Sequence, residues 1–292
     1  FPSATYHLGK DLAGVEQTAS GVSARFADGT VETADLLVGA DGFRSAVRAL
    51  LLPDVMPQYA GYIAWRGMAP ETLFREPADQ HRFDLFTFTL PPGEQMLGYP
   101  VAGVNNDMRR GHRSYNFVWY LPADEARDVP RLLTDRNGHT HTLSIPPPLI
   151  APDVVSEMRA HASKVLSPWF QRVVNIIEQP FLQPIYDLTS PRMAFGRIAL
   201  LGDAAFVIRP HVGAGVVKAA EDAAALARVL GMGGDIAARL EAYSTERSIV
   251  GNRIVEHMYA LVGAHLESLA QGVGRLLGAD GESDDRDLFV SA

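Results

Sequence analysis

The segment that most restricts how this chain can fold is GRIALLGDAAFVIRPHVGAGVVKAAEDAAALARVL, residues 196–230, here called the GD segment. It opens with a short apolar run, Ile198–Leu201, which is typical of a strand buried on both faces. Gly202 and Asp203 interrupt the run, and an alanine-rich stretch after Gly215 indicates a long helix. Such a turn presents free N–H groups and the positive end of a helix dipole, which suits anionic groups. The same spacing also fits an ordinary strand–loop–helix crossover in which the glycines serve only packing.

A second segment has a related pattern. Residues 34–48, ADLLVGADGFRSAVR, are here called the DG segment, and they combine an apolar run at Leu36–Val38 with an Asp-Gly turn. Arg44 and Arg48 then enter a predicted helix. A guanidinium offers a planar fork of donors that suits phosphate, although either arginine also fits a structural ion pair.

Together the two segments resemble those of the single-component FAD-dependent aromatic hydroxylases, typified by p-hydroxybenzoate and salicylate hydroxylases. The resemblance rests on Gly39-Ala40-Asp41-Gly42 with Arg44 and Arg48, and on Gly202-Asp203-Ala204-Ala205 followed by Pro210 and Gly213-Ala214-Gly215. YIAWRG at residues 62–67 and the triplet Arg209-Pro210-His211 resemble the 2,6-dihydroxypyridine 3-hydroxylase branch. The similarity runs from about residue 6 to about residue 270.

The resemblance implies a set of FAD-binding residues. Asp203 would meet the ribityl and pyrophosphate region, with a helix N-cap as the alternative role. The loop from Val212 to Gly215 would present N–H groups to the N1/O2 edge of the flavin, where negative charge gathers on reduction. Ala214 stands where the family usually has glutamine, and Phe206 where many members have histidine. The full implied set is Asp41, Arg44, Arg48, Gly202, Asp203, Pro210, Val212, Gly213, Ala214 and Gly215.

Aromatic strands between residues 59 and 121 are the expected substrate side. His211 and Tyr99 are the candidate catalytic residues, and Trp65, Arg66 and Trp119 the candidate substrate contacts. The alternatives are a solvent-facing loop histidine and, for each aromatic residue, packing in the core. No metal site is predicted, because His139 and His141 lie in a polar loop without a matching ligand set.

The order of elements predicts an α/β protein with an added antiparallel sheet. In family terms this is a Rossmann-like flavin domain, an antiparallel-sheet substrate domain and C-terminal helices. The predicted divisions are residues 1–55 (flavin domain with the DG segment), 56–190 (substrate domain), 191–275 (flavin domain with the GD segment and the C-terminal helices) and 276–292 (acidic tail). Local patterns predict a hairpin at Asp28-Gly29, strands at 81–90 and 181–188, a surface excursion at 122–152, helices at 156–178 and 235–263, and disorder at 279–287.

Composition narrows the function classes. A formal net charge of −8 without a basic stripe argues against nucleic acid as a partner. The chain has no cysteine, so disulfides and thiolate chemistry are excluded. No apolar run is long enough for a transmembrane helix, and we expect a cytoplasmic protein whose partners are a small aromatic substrate and O₂. A homodimer stays open.

The family's usual GxGxxG sequence does not occur in this chain. We therefore expect that the first βαβ unit of the flavin domain is absent from it, and that the chain alone is flavin-free and inactive. The resemblance implies ring hydroxylation that uses FAD, NADPH or NADH, and O₂ through a flavin C4a-hydroperoxide. A non-catalytic fragment of such an enzyme and a same-fold FAD epoxidase or reductase are the alternatives.

Overall fold

The computed structural model describes residues 6–210, 215–262 and 287–290. The chain divides into two compact units: unit 1 is Phe1–Gln58 with Tyr186–Met258, and unit 2 is Tyr59–Ile185 with Tyr259–Ala292. The strands are β1 (Leu12–Gln17), β2 (Val22–Phe26), β3 (Val31–Ala34), β4 (Leu37–Gly39), β5 (Gln58–Pro70), β6 (Phe86–Thr89), β7 (Gln95–Val101), β8 (Ser114–Pro122), β9 (Phe181–Thr189), β10 (Ala194–Phe195), β11 (Ile198–Leu200), β12 (Phe206–Val207) and β13 (Asp287–Val290). The helices are α1 (Ala46–Leu51), α2 (Pro77–Phe83), α3 (Asp128–Leu132), α4 (Pro152–Val165), α5 (Pro168–Ile176), α6 (Gly215–Gly231) and α7 (Ile236–Val262).

Unit 1 contains two small sheets. In the first, β1, β2 and β3 are antiparallel, and the β2–β3 turn contains Gly29 with a φ of 84°. This confirms the hairpin predicted at Asp28-Gly29. In the second, the order is β10-β11-β4, and β11 runs parallel to β4 with Ile198 opposite Leu37 and Leu200 opposite Gly39. The apolar runs of the DG and GD segments, which the sequence assigns to one flavin domain, are therefore neighbouring strands of one sheet.

Unit 2 is built on an antiparallel sheet with the strand order β9-β5-β8-β7-β6-β13. Helices α4 and α5 contribute Met158, Phe170 and Val173 to a core cluster that also contains Trp65 and Trp119 of the sheet. β9 passes from unit 2 into unit 1, where its last residues pair with β12. Mixed helix and sheet with antiparallel strands confirms the predicted fold class.

The strand predicted over residues 81–90 is wrong in its first half. Residues up to Phe83 belong to α2, and the strand begins only at Phe86. Pro77 occupies the first turn of α2, and the Asp79 carboxylate accepts a hydrogen bond from the Glu76 N–H at 3.3 Å. These start signals outweigh the alternating pattern that follows them.

Three other predictions are corrected or restricted. The helix predicted at 156–178 is two helices, because Ser167 caps α5 and Pro168 starts it. The 122–152 segment is no mere surface excursion, since it buries six apolar residues in the core of unit 2: Ala123, Val129, Leu132, Leu133, Ile145 and Ile150. The predicted disorder at residues 279–286 lies outside the described residues, whereas Asp287 begins β13, opposite Thr89 of β6.

A substitution at Gly39 tests how closely α1 packs against the sheet that contains β4 and β11. A Cβ at Gly39 would lie 2.8 Å from Val47 Cβ of α1 and 3.0 Å from Leu200 Cδ2 of β11. Gly39→Ala should therefore lower the free energy of unfolding by about 1–3 kcal/mol, because overpacking forces the helix away from the sheet. Gly231→Ala is the control, since nothing lies within 4 Å of its added Cβ. Urea denaturation of the full-length protein measures both, and equal effects of the two variants would contradict the packing.

Candidate functional site

The GD segment forms a tight turn at the end of β11. Residues Gly202–Ala204 make one 3₁₀ turn, and Gly202 has a φ of 63°, in the left-handed region that favours glycine. Asp203 follows with an exposed side chain. The turn therefore presents a carboxylate at the carboxyl end of a parallel strand, where ligands of open α/β sheets bind.

The pKa of Asp203 is raised above its ordinary value. Removal of water by the surrounding protein is the main cause, and the positive charge of Lys218 opposes it. Within the described part of the chain, no donor is hydrogen-bonded to the Asp203 carboxylate. Its oxygens are thus available to accept hydrogen bonds from a ligand hydroxyl.

The DG segment forms the neighbouring turn, after β4. The Asp41 carboxylate accepts hydrogen bonds from Ser45 Oγ at 2.5 Å and from the Val47 N–H at 3.1 Å, so it stabilises the start of α1. Gly42 in this turn has a φ of 74°. The described role of Asp41 is thus to shape this turn, and its contact with a cofactor stays a prediction.

The described contacts of Arg48 are structural, and its predicted phosphate contact stays a prediction. Its side chain is only 4% exposed, and its guanidinium donates to the Phe43 carbonyl at 2.7 Å and to the Ala204 carbonyl at 3.0 Å. Burial lowers its pKa below the ordinary arginine value, and the charge of Asp41 opposes this shift. Arg48 thus ties α1 to the GD turn through backbone carbonyls, whereas the structural alternative in the sequence was an ion pair. Arg44 is exposed.

The loop after the GD turn is anchored by a buried ion pair. Arg209 Nε lies 3.0 Å from Asp187 Oδ1 and Arg209 Nη2 lies 2.7 Å from Asp187 Oδ2, with both residues in unit 1. This forked contact fixes the chain just before Pro210. Four predicted site residues lie outside the described residues: His211, Val212, Gly213 and Ala214. Gly215 is the first residue of α6.

Behind the GD turn lies a buried charge cluster that the sequence analysis missed. Asp222 is 1% exposed and accepts hydrogen bonds from the Gly202 N–H at 3.1 Å, Lys218 Nζ at 2.8 Å and Arg247 Nε at 2.7 Å. Lys218 Nζ also donates to the Gly202 carbonyl at 3.2 Å. The available signal was a lysine and an aspartate four residues apart in an alanine-rich helix, but that spacing is typical of exposed pairs too.

In unit 2 the two predicted tryptophan contacts are corrected. Trp65 and Trp119 are opposite each other on β5 and β8, and both lie in the core cluster that α4 and α5 share. Trp119 Nε1 donates to the buried Glu94 at 2.9 Å, and its ring stacks on His161. These rings pack the core, because the two-residue alternation of a strand places them on the opposite sheet face from Arg66.

The other sheet face, here called the polar face, brings several candidates together. On it Arg66 and Leu97 flank Val118, while Tyr99 is opposite Asn116 and Gln95 is opposite Tyr120. The Tyr99 ring stacks on Phe86 with centroids 4.9 Å apart. Burial raises the pKa of Tyr120 above its ordinary value; nearby Arg66 opposes this shift and nearby Tyr99 adds to it.

Buried polar atoms on this face lack partners. Arg66 Nη1 donates to Gln183 at 3.0 Å, and the guanidinium lies over the Phe181 ring. Arg66 Nε and one side-chain amide atom each of Gln95 and Asn116 are buried without a hydrogen-bond partner. Buried polar groups are nearly always paired, so such atoms are candidates for ligand contacts.

Comparison with known proteins shows which family this chain resembles. Two family models match the chain, described as "FAD binding domain-like" over residues 59–187 and "FAD binding domain" over residues 184–258. The chain is 33% identical to the 2,6-dihydroxypyridine 3-monooxygenase of Paenarthrobacter nicotinovorans, over 85% of this chain and 61% of that protein. The chain belongs to the FAD-dependent aromatic hydroxylases.

Solved structures agree with this membership. The 2,6-dihydroxypyridine-3-hydroxylase of Arthrobacter nicotinovorans superposes with a TM-score of 0.79 at 33% identity, covering 87% of this chain and 64% of that chain. HpxO of Klebsiella pneumoniae, complexed with FAD and uric acid, gives a TM-score of 0.64 at 28% identity, covering 92% and 61%. The chain therefore spans less than two thirds of the length of each of these relatives. None of the helices in the described part of the chain has both the length and the apolar character needed to cross a membrane.

Arg48 offers a test of the connection between the two turns. Arg48→Met should lower the free energy of unfolding of the full-length apoprotein by about 1.5–3 kcal/mol, because two carbonyls lose a charged donor. Arg44→Met, at an exposed position, should change it by less than about 0.5 kcal/mol. Urea denaturation without cofactor measures both. A phosphate-binding Arg48 without a structural role would leave the stability of the apoprotein unchanged.

Proposed function

We propose that this protein is an FAD-dependent monooxygenase that hydroxylates a small hydroxylated aromatic or pyridine ring with NADPH or NADH and O₂. One observation carries the proposal: two turns of the family's type follow adjacent parallel strands, β4 and β11, and are joined by Arg48. This sheet edge is where ligands of open α/β sheets bind. Membership of the aromatic hydroxylases supports the same conclusion.

The residues of unit 1 fit FAD. Asp203 offers acceptor oxygens for ribityl hydroxyls, and Gly202 leaves no side chain at the turn itself. Gly215, the first residue of α6, and the residues Gly213 and Ala214 before it in the sequence would offer backbone N–H groups to the flavin edge and to the pyrophosphate. The chemistry that a bound flavin supplies is hydride acceptance from NAD(P)H and activation of O₂. The protein's task is to hold the ring and to exclude water.

The polar face of unit 2 fits a small planar substrate. Val118 and Leu97 form an apolar floor on neighbouring strands, and polar groups lie two residues away along the strands, which is about 7 Å. That spacing matches the width of a substituted six-membered ring. Arg66, Gln95 and Asn116, with their unpartnered atoms, would then bind the ring substituents.

The polar groups of the polar face favour an N-heterocycle over a benzoate as the substrate. A buried carboxylate needs a dedicated cation, and Arg66 already contacts Gln183 and Phe181. Amide groups such as those of Gln95 and Asn116 bind neutral donors and acceptors, as a hydroxypyridine offers. Tyr99 is proposed to touch the ring hydroxyl and to hold its proton, which makes the ring electron-rich, and the catalytic role of His211 stays a prediction.

We also propose a cytoplasmic location, since NAD(P)H is an intracellular reductant. A homodimer stays a prediction.

The FAD assignment is tested by Asp203→Asn in the full-length protein. Flavin affinity should fall roughly ten- to a hundred-fold, since an acceptor carboxylate is lost. Stability should not fall: the folded-state pKa of Asp203 is raised, so the carboxylate weakens the fold as the pH rises through that pKa, and the neutral amide removes this effect at pH 7. Flavin fluorescence titration and thermal melting of the apoprotein measure the two quantities. Unchanged flavin affinity, or a large loss of apoprotein stability, would count against the assignment.

The substrate class is tested by substrate-stimulated NAD(P)H oxidation with product identification. Dihydroxypyridines should be hydroxylated more efficiently than salicylate or other benzoates, because the polar face presents neutral amides around a single occupied guanidinium. Turnover of benzoates without turnover of dihydroxypyridines would contradict the substrate class and leave the reaction type intact.

A further inference from the structure

Two side chains of α6 hold both hydrogen-bonding groups of Gly202. The Gly202 N–H donates to Asp222 at 3.1 Å, and the Gly202 carbonyl accepts from Lys218 Nζ at 3.2 Å. Lys218 and Asp222 are also bonded to each other at 2.8 Å. The one residue of the turn with left-handed backbone geometry is thus fixed on both sides by a single helix.

The cluster continues into α7 and is closed to water. Arg247 donates to Asp222 at 2.7 Å, and Lys218, Asp222 and Arg247 are 3%, 1% and 6% exposed. The Lys218 ammonium also lies over the Phe206 ring, 5.5 Å from its centroid. Arg247 Nη2 also pairs with the exposed Glu221 at 3.2 Å, so Asp222 is the buried carboxylate of the cluster and Lys218 its fully buried cation.

Burying this lysine is costly unless its charge has a use. An apolar side chain of similar length would fill the same space in the alanine-rich helix without the cost of removing an ammonium from water. The Lys218 ammonium is bonded to the turn that carries Asp203, and its charge opposes the effect of burial on the pKa of Asp203. Geometry and charge therefore both connect Lys218 to Asp203.

We propose that Lys218 and Asp222 are positioning residues for the flavin: they fix the Gly202 peptide and thereby direct the Asp203 carboxylate toward the ribityl hydroxyls. This inference rests on the proposed function. The charge of Lys218 also lowers the pKa of Asp203, which favours the ionised form that accepts hydrogen bonds on both oxygens. The other charged groups around the turn are Asp222 of α6, Arg247 of α7 with its exposed partner Glu221 of α6, and Arg48 of α1.

The test is Lys218→Met in the full-length protein, with exposed Lys164→Met as the matched control. FAD affinity is measured by flavin fluorescence titration between about pH 5 and about pH 8, beside thermal melting of the apoprotein. Lys218→Met should weaken FAD binding roughly tenfold at pH 7 and move the acid loss of affinity to higher pH. The control should match the wild type. A purely structural lysine would leave the pH profile of binding in place.

A double-mutant cycle tests whether Lys218 affects FAD binding through Asp203. In the Asp203→Asn background, Lys218→Met should change FAD affinity by less than about threefold and should not move the pH profile, because the two residues act through one carboxylate. Lys218→Gln keeps a donor for the Gly202 carbonyl without the charge, and it carries the same test if Lys218→Met does not fold. The profile should shift in this variant too.

The failures are distinguishable. If the wild type itself binds no FAD, the proposed function is wrong. If the wild type binds FAD and Lys218→Met and Lys218→Gln both bind it with wild-type affinity and pH profile, the positioning role is wrong and the proposed function stands. Additive effects of Lys218→Met and Asp203→Asn would also overturn the positioning role.

Discussion

Unit 1 depends on the parallel pairing of β4 with β11. The two strands belong to distant parts of the chain, and a parallel pair requires a long crossover between its members. Arg48 reinforces the pairing by bonding the Ala204 carbonyl, 156 residues away in the sequence. Because both strands end at the same sheet edge, the DG and GD turns become neighbours, and the candidate flavin site exists only as a product of this long-range contact.

Buried charges shape the site more than they stabilise the fold. Arg209 with Asp187, and Lys218 with Asp222 and Arg247, are largely removed from water, where an ion pair gains little net stability over apolar packing. These ion pairs fix the positions of backbone segments: Arg209 with Asp187 anchors the loop before Pro210, and Lys218 with Asp222 holds the Gly202 peptide. Under the proposed function, the turns that would meet a cofactor are thus held by buried side chains, an arrangement that would preorganise the site before its ligand arrives.

Sequence alone predicted the elements whose signals are local. Short apolar runs that end at a glycine predicted β4 and β11, and Asp28-Gly29 predicted the β2–β3 hairpin. The sequence could not decide whether Trp65 and Trp119 lie in the core or on the substrate side. Alternation along a strand separates the two faces of a sheet, but it does not tell which face the helices cover. Lys218 and Asp222 were missed for a similar reason, since an i, i+4 ion pair has the same spacing on a solvated helix as in a buried one.

The most direct test of this account is a crystal structure of the full-length protein with FAD. We predict that an Asp203 carboxylate oxygen lies about 2.6–3.0 Å from a ribityl hydroxyl, with Lys218 and Asp222 still bonded to the Gly202 peptide. A flavin bound away from the ends of β4 and β11, or an Asp203 carboxylate turned to solvent beside a bound flavin, would contradict it.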